Sequence, residues 1–202
     1  MRLSRSLAIL AFSLVVLCGA GFADSTFDFS SKGNGDIGHT DTFTAGAGSI
    51  TLWGFSNTNT NTDLFFKNGA GDENGLGLND GDGDNEISGT AFIQFTTAGI
   101  TSVKIGSVQS GESFALYGSN TLGTLGTLLT GYTGTADKTV SLPSIDGTWK
   151  YVSVFSPTGN VLLDNAKTAS SVPEPSTPAL VMSLGLVGLV AFGGRKLGKI
   201  SI

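Results

Sequence analysis

Between Asp24 and Ser171 apolar residues recur close to every second position in short runs, and no stretch keeps the 3.6-residue spacing that would give a helix a buried face. Ser49 to Phe55 carries Ile50, Leu52 and Trp53; Thr90 to Thr96 carries Phe92, Ile93 and Phe95; Ile100 to Val108 carries Ile100, Val103, Ile105 and Val108. Ser113 to Tyr117, Thr139 to Leu142, Trp149 to Phe155 and Asn160 to Asp164 follow, each bounded by Gly, Pro, Asn or Asp. Short runs about 8 to 12 residues apart with turn residues between them predict an all-β antiparallel sandwich over residues 24–166. The Asn-Thr run from Asn57 to Thr62 predicts a loop before a strand holding Phe65 and Phe66, and Gly123 to Leu128 a bend into a strand.

Residues 24–171 hold 15 acidic and 6 basic side chains, a net of −9 against −5 for the whole chain. An acidic body excludes nucleic acid and anionic membrane surfaces as partners, because both require neutralising cations. Its 148 residues amount to one domain with room for a core.

The first 23 residues form a secretory signal peptide. Arg2 and Arg5 give the positive start, Leu7 to Leu17 the apolar stretch, and Gly21 and Ala23 the small residues before a signal-peptidase cut between Ala23 and Asp24. Cys18 invites a lipoprotein reading, but Leu17 stands where a lipobox needs Gly, Ala or Ser. The cut removes Cys18, the single cysteine, so the mature body has neither a disulfide nor a thiol nucleophile.

The other end carries three parts in order: Val172, Pro173, Glu174, Pro175, Ser176 and Thr177; an apolar stretch over 178–194; and a basic tail over 195–202 with Arg195, Lys196 and Lys199. The 17-residue stretch makes about 26 Å of helix, short for a ~30 Å hydrocarbon core but sufficient with basic residues at its end. A plain tail anchor with a proline-rich stalk is the simpler reading. The three-part order, and Pro173-Glu174-Pro175 above all, resembles the PEP-CTERM sorting signal of exported proteins handled by an exosortase in Gram-negative, exopolysaccharide-making bacteria. That resemblance implies export through the inner membrane, a transient anchor through the apolar helix, processing by exosortase, and delivery to the cell surface or extracellular matrix. Residues 167–171 then read as a linker.

Two further likenesses refine the body. Trp149 to Phe155 followed by Leu162-Leu163-Asp164-Asn165 resembles the closing hairpin of jelly-roll modules, so the expected fold is a jelly-roll-like sandwich. Glu73-Asn74-Gly75-Leu76-Gly77-Leu78 with Asn85-Glu86-Ile87 resembles a Gly-Leu-Gly to Glu-Ile stretch found in a subset of PEP-CTERM proteins. That likeness implies an acidic loop packed beside the sheet.

The same loop holds the candidate metal ligands Asp80, Asp82, Asp84 and Glu86, hard oxygen donors between glycines that suit Ca²⁺. Counted from Asp80, the sixth residue is Asn85 rather than Gly and the twelfth is Ala91 rather than Glu, which fails the EF-hand pattern. A solvated acidic turn is the competing reading. Against enzymes, His39 is the single histidine, which excludes a zinc site built on several. No Gly-x-Ser-x-Gly elbow occurs either. Trp53, Phe55, Phe65, Phe66, Tyr117, Tyr132, Trp149 and Tyr151 supply core or a stacking platform for sugars, with Tyr132 the best placed for exposure. Two expectations follow: a non-enzymatic surface or matrix protein, or a Ca²⁺-assisted module binding exopolysaccharide delivered by the same route.

Overall fold

The computed structural model describes residues 24–169 except 47, 59, 82, 98 and 143–147. Among the described residues every regular element is a strand. In chain order these are β1 (Thr26–Asp28), β2 (Gly35–Gly38), β3 (Thr40–Ala45), β4 (Gly48–Ser56), β5 (Asp63–Asn68), β6 (Asn74–Asn79) and β7 (Ala91–Thr96). Then come β8 (Ile100–Gly106), β9 (Glu112–Ser119), β10 (Thr127–Gly134), β11 (Lys138–Ser141), β12 (Tyr151–Thr158) and β13 (Leu162–Thr168).

The strands form two sheets, and every paired neighbour is antiparallel. The seven-stranded sheet runs β11-β8-β13-β6-β5-β2, with β1 sharing the side of β13 that β6 occupies; the six-stranded sheet runs β10-β9-β12-β7-β4-β3. Alternation points one face of each sheet at a shared core, as in a sandwich. Leu64, Leu76, Leu78, Val103, Ile105 and Leu163 come from the first sheet, and Ile50, Leu52, Ile93, Phe95, Phe114, Val152 and Val154 from the second. Phe29, Phe95 and Phe114 are fully enclosed, each contributing about 1.5–3 kcal/mol by burial.

The seven expected alternating runs all lie on strands, as does the Phe65-Phe66 segment, with ends shifted by a few residues. Four strands were not foreseen, and a fifth, β10, is the strand into which the expected Gly123–Leu128 bend leads. β1, β2 and β3 are short and rich in Thr, Asp and Gly, and carry few apolar residues each. β6 lies in a segment whose glycines read as loop, and β10 exposes most of its residues at a sheet edge. β13 continues to Thr168, so Lys167 and Thr168, expected in a linker, complete a strand instead. Thr168 N donates to Ser25 O at 3.0 Å, which ties the two ends of the domain together.

Candidate functional site

The acidic connection starts from β6. Leu76 and Leu78 face the core, so Gly75 and Gly77 face outward. The chain then reverses over that outer face: a Cβ on Gly77 would lie 2.8 Å from Glu86 Cα and nearer still to the Asn85 carbonyl. Left-handed backbone at Gly81 (φ 89°), Gly83 (φ 93°) and Asn85 (φ 60°) makes the reversal. Ile87 pairs with Val161, and the chain crosses to β7 in the other sheet.

Each described carboxylate of this connection is turned to a different protein donor. Asp80 Oδ2 accepts from Ser88 Oγ and Thr90 Oγ1, both at 2.7 Å. Asp84 accepts from Glu86 N at 3.3 Å and from the Asn160 side-chain amide. Glu86 is 5 % exposed and accepts from Lys67 Nζ at 2.6 Å and Ser107 Oγ at 3.3 Å. Asp82 lies outside the described residues. Among the described residues no three His, Cys, Asp or Glu side chains gather where they could hold a metal ion. Of the residues proposed for Ca²⁺, Asp80, Asp84 and Glu86 are thus each engaged by different protein donors.

The charges on the outer face of the seven-stranded sheet form two clamps, which the sequence reading missed. Lys67 on β5 also meets Glu73 at 3.1 Å. Burial pushes the Glu86 carboxyl up while Lys67 holds it back. Burial pulls Lys67 down, but Glu86 and Glu73 together outweigh it and keep the ammonium above the ordinary lysine range. Lys104 on β8 is clamped by Asp164 and, at 3.2 Å, by Asp137. Asp164 raises the Lys104 ammonium, burial offsets part of that, and Asp137 adds to it. Asp164 is the extra residue where the β13–β8 register shifts between Leu163 and Asn165. The one signal in the sequence was a lone lysine inside each strand.

The outer face of the six-stranded sheet is aromatic. Trp53 meets Tyr151 edge-on at 5.8 Å, Phe55 meets Phe92 at 5.5 Å, and Tyr117 meets Phe155 at 6.3 Å. The β9–β10 connection folds over the middle of this face, latched by Gln94, which is fully buried. Gln94 Nε2 donates to Thr124 O and to Ser153 Oγ, both at 3.0 Å, and its Oε1 accepts from Gly123 N at 2.7 Å. Tyr132 does not stand out as a platform: it pairs with Phe114 across β9–β10, packs on that ring at 5.4 Å and carries Lys138 Nζ at 5.4 Å from its centroid. Phe66 belongs to the core, and Trp149 fills the space beside Gly118. His39 is partly buried, edge-on to Phe55 at 5.1 Å, and its Nδ1 is enclosed without a hydrogen-bond partner.

Asp24 is the first described residue and is exposed. Ala23, the sorting motif 172–177, the apolar stretch 178–194 and Arg195, Lys196 and Lys199 lie outside the described residues. No helix long and apolar enough to cross a membrane occurs among the described residues. Architecture and packing together define an all-β protein of two antiparallel, sandwich-like sheets. No protein-family model and no curated protein matches the chain.

Proposed function

We propose that this chain is a non-enzymatic protein of the cell surface or exopolysaccharide matrix, exported by the general secretory route and sorted by an exosortase that reads Pro173-Glu174-Pro175. The observation that carries this reading is the three-part order over 172–202: a proline-flanked carboxylate, an apolar stretch and a basic end. The Arg-Leu leader ending at Ala23 supports it independently, since it implies the same side of the membrane. We read strands β6 to β13 as a jelly roll: their orders in the two sheets, β6-β13-β8-β11 and β7-β12-β9-β10, are those of two nested Greek keys. β5 and β2 extend one sheet beyond β6, and β4 and β3 extend the other beyond β7.

Intact-mass measurement of the protein from surface and medium of its host, with the exosortase present and deleted, tests the reading. The expected product begins at Asp24, ends close to Pro173-Glu174-Pro175 and disappears in the deletion strain. A tail intact through Ile202 in both strains would make residues 178–194 a plain anchor and remove the sorting assignment.

A further inference from the structure

Where β10 lies along β9, the outer face of the six-stranded sheet holds a groove of about 360 Å³. Cross-strand pairs build it in three steps. Ser113 and Thr133 bring hydroxyls to one end, Ala115 and Gly131 make a flat floor, and Tyr117 and Leu128 supply an apolar end. Leu128 is 56 % exposed and leaves its apolar surface open at that end. The Tyr117 ring is propped edge-on by Phe155, so its orientation is set before anything binds. Ser113 to Tyr117 spans four residue steps of strand, about 14 Å at 3.4 Å per residue.

We propose that this groove is a binding subsite for an uncharged polysaccharide, holding about two pyranose rings, a small site by volume. The apolar face of a pyranose fits over Tyr117 and Leu128, and its hydroxyls meet Ser113 and Thr133. Charge selects the class of occupant. The groove is lined by no Asp, Glu, Lys, Arg or His, while the body around it carries 15 acidic against 6 basic side chains. That surplus repels a polyanion, and a polycation finds better partners elsewhere on the surface. The subsite takes no part in the acidic connection, so binding needs no Ca²⁺. The inference rests on the matrix reading for where the polymer is met, and its test is independent of sorting.

The full chain, held in a detergent without sugar headgroups, is passed over immobilised cellohexaose, maltohexaose and mannohexaose. Retention is expected on at least one, unchanged by added salt or by a chelator. Gly131→Leu fills the floor where a Cβ meets nothing closer than 3.8 Å, so this variant folds normally and loses retention. Tyr117→Ala weakens binding by about tenfold, the scale of one lost aromatic stack. Leu122→Ser, on the neighbouring connection, keeps wild-type binding. No retention on any of the three, retention undiminished in Gly131→Leu, or retention abolished by chelator each overturns the proposal. A host-processed tail together with no retention would leave the sorting assignment standing and this subsite refuted.

Discussion

Gly77 shows how one missing side chain shapes the acidic connection. Its outward position is occupied by the backbone of Asn85 and Glu86, which cannot give way as a flexible side chain would. Gly77→Ala should therefore lower stability by about 1–3 kcal/mol, the usual range for overpacking. Gly33→Ala, with open space around its Cβ and no left-handed backbone, should be neutral. A urea midpoint for Gly77→Ala equal to that of the parent would show that the chain does not cross this face. The glycines were visible in the sequence as Gly-Leu-Gly, yet they read as loop. The two leucines alone give the alternation of β6, and the covering segment was visible only as acidic residues with turn propensity. The same limit applies to the proposed Ca²⁺ ligands. Spacing along the chain brought Asp80, Asp84 and Glu86 together, whereas in the fold the partners Ser88, Asn160 and Lys67 each engage a different one of them.

At the scale of elements, Gln94 holds a connection rather than a strand. In Phe92-Ile93-Gln94-Phe95 it is the polar position of an alternating strand, and it does face away from the core; its complete burial comes from residues of a connection far along the chain. Gln94→Leu removes a partner of Gly123 N and of Ser153 Oγ, both in buried residues, at a cost of about 1–3 kcal/mol for each group left unpaired, and releases Thr124 O. Hydrogen exchange should accelerate across 120–126 while β12 stays protected. Equal exchange in both proteins would show that the latch lies elsewhere. The sheet edges are also handled locally. β3 turns Asp41 inward opposite Leu52, β10 carries a register shift between Leu128 and Thr130, β2 one between Asp36 and Gly38, and β11 is four residues long and begins with Lys138. Each device discourages a second chain from adding a strand.

For the molecule as a whole, the two clamped lysines are expected to contribute to stability at alkaline pH. Lys67 and Lys104 have folded values raised above the ordinary 10.5. Their contribution is therefore complete below that value and is lost as pH rises through the folded values. The melting temperature should hold toward pH 10.5 and fall above it, and Lys104→Met should flatten part of the fall. A profile identical in Lys104→Met would remove that clamp from the balance. Glu86, with its carboxyl raised by burial, acts in the same sense at lower pH, favouring the protonated state as pH drops toward its unfolded value of 4.5. Strand positions were largely legible because alternation is a local property. Sheet order was not, since β13 pairs with β1, β6 and β8, and nothing in 162–168 names those partners.

That central placement of β13 has a consequence in time. A chain threaded through a membrane from its amino end delivers β1 first and β13 last, so the seven-stranded sheet has a gap at its middle until residues 162–168 emerge. Contacts such as Thr168 with Ser25 span nearly the whole domain, a topology that folds slowly. Exported as proposed, the chain would stay threadable throughout its passage, and the last strand to arrive would both close the sheet and mark the translocation of the body as complete.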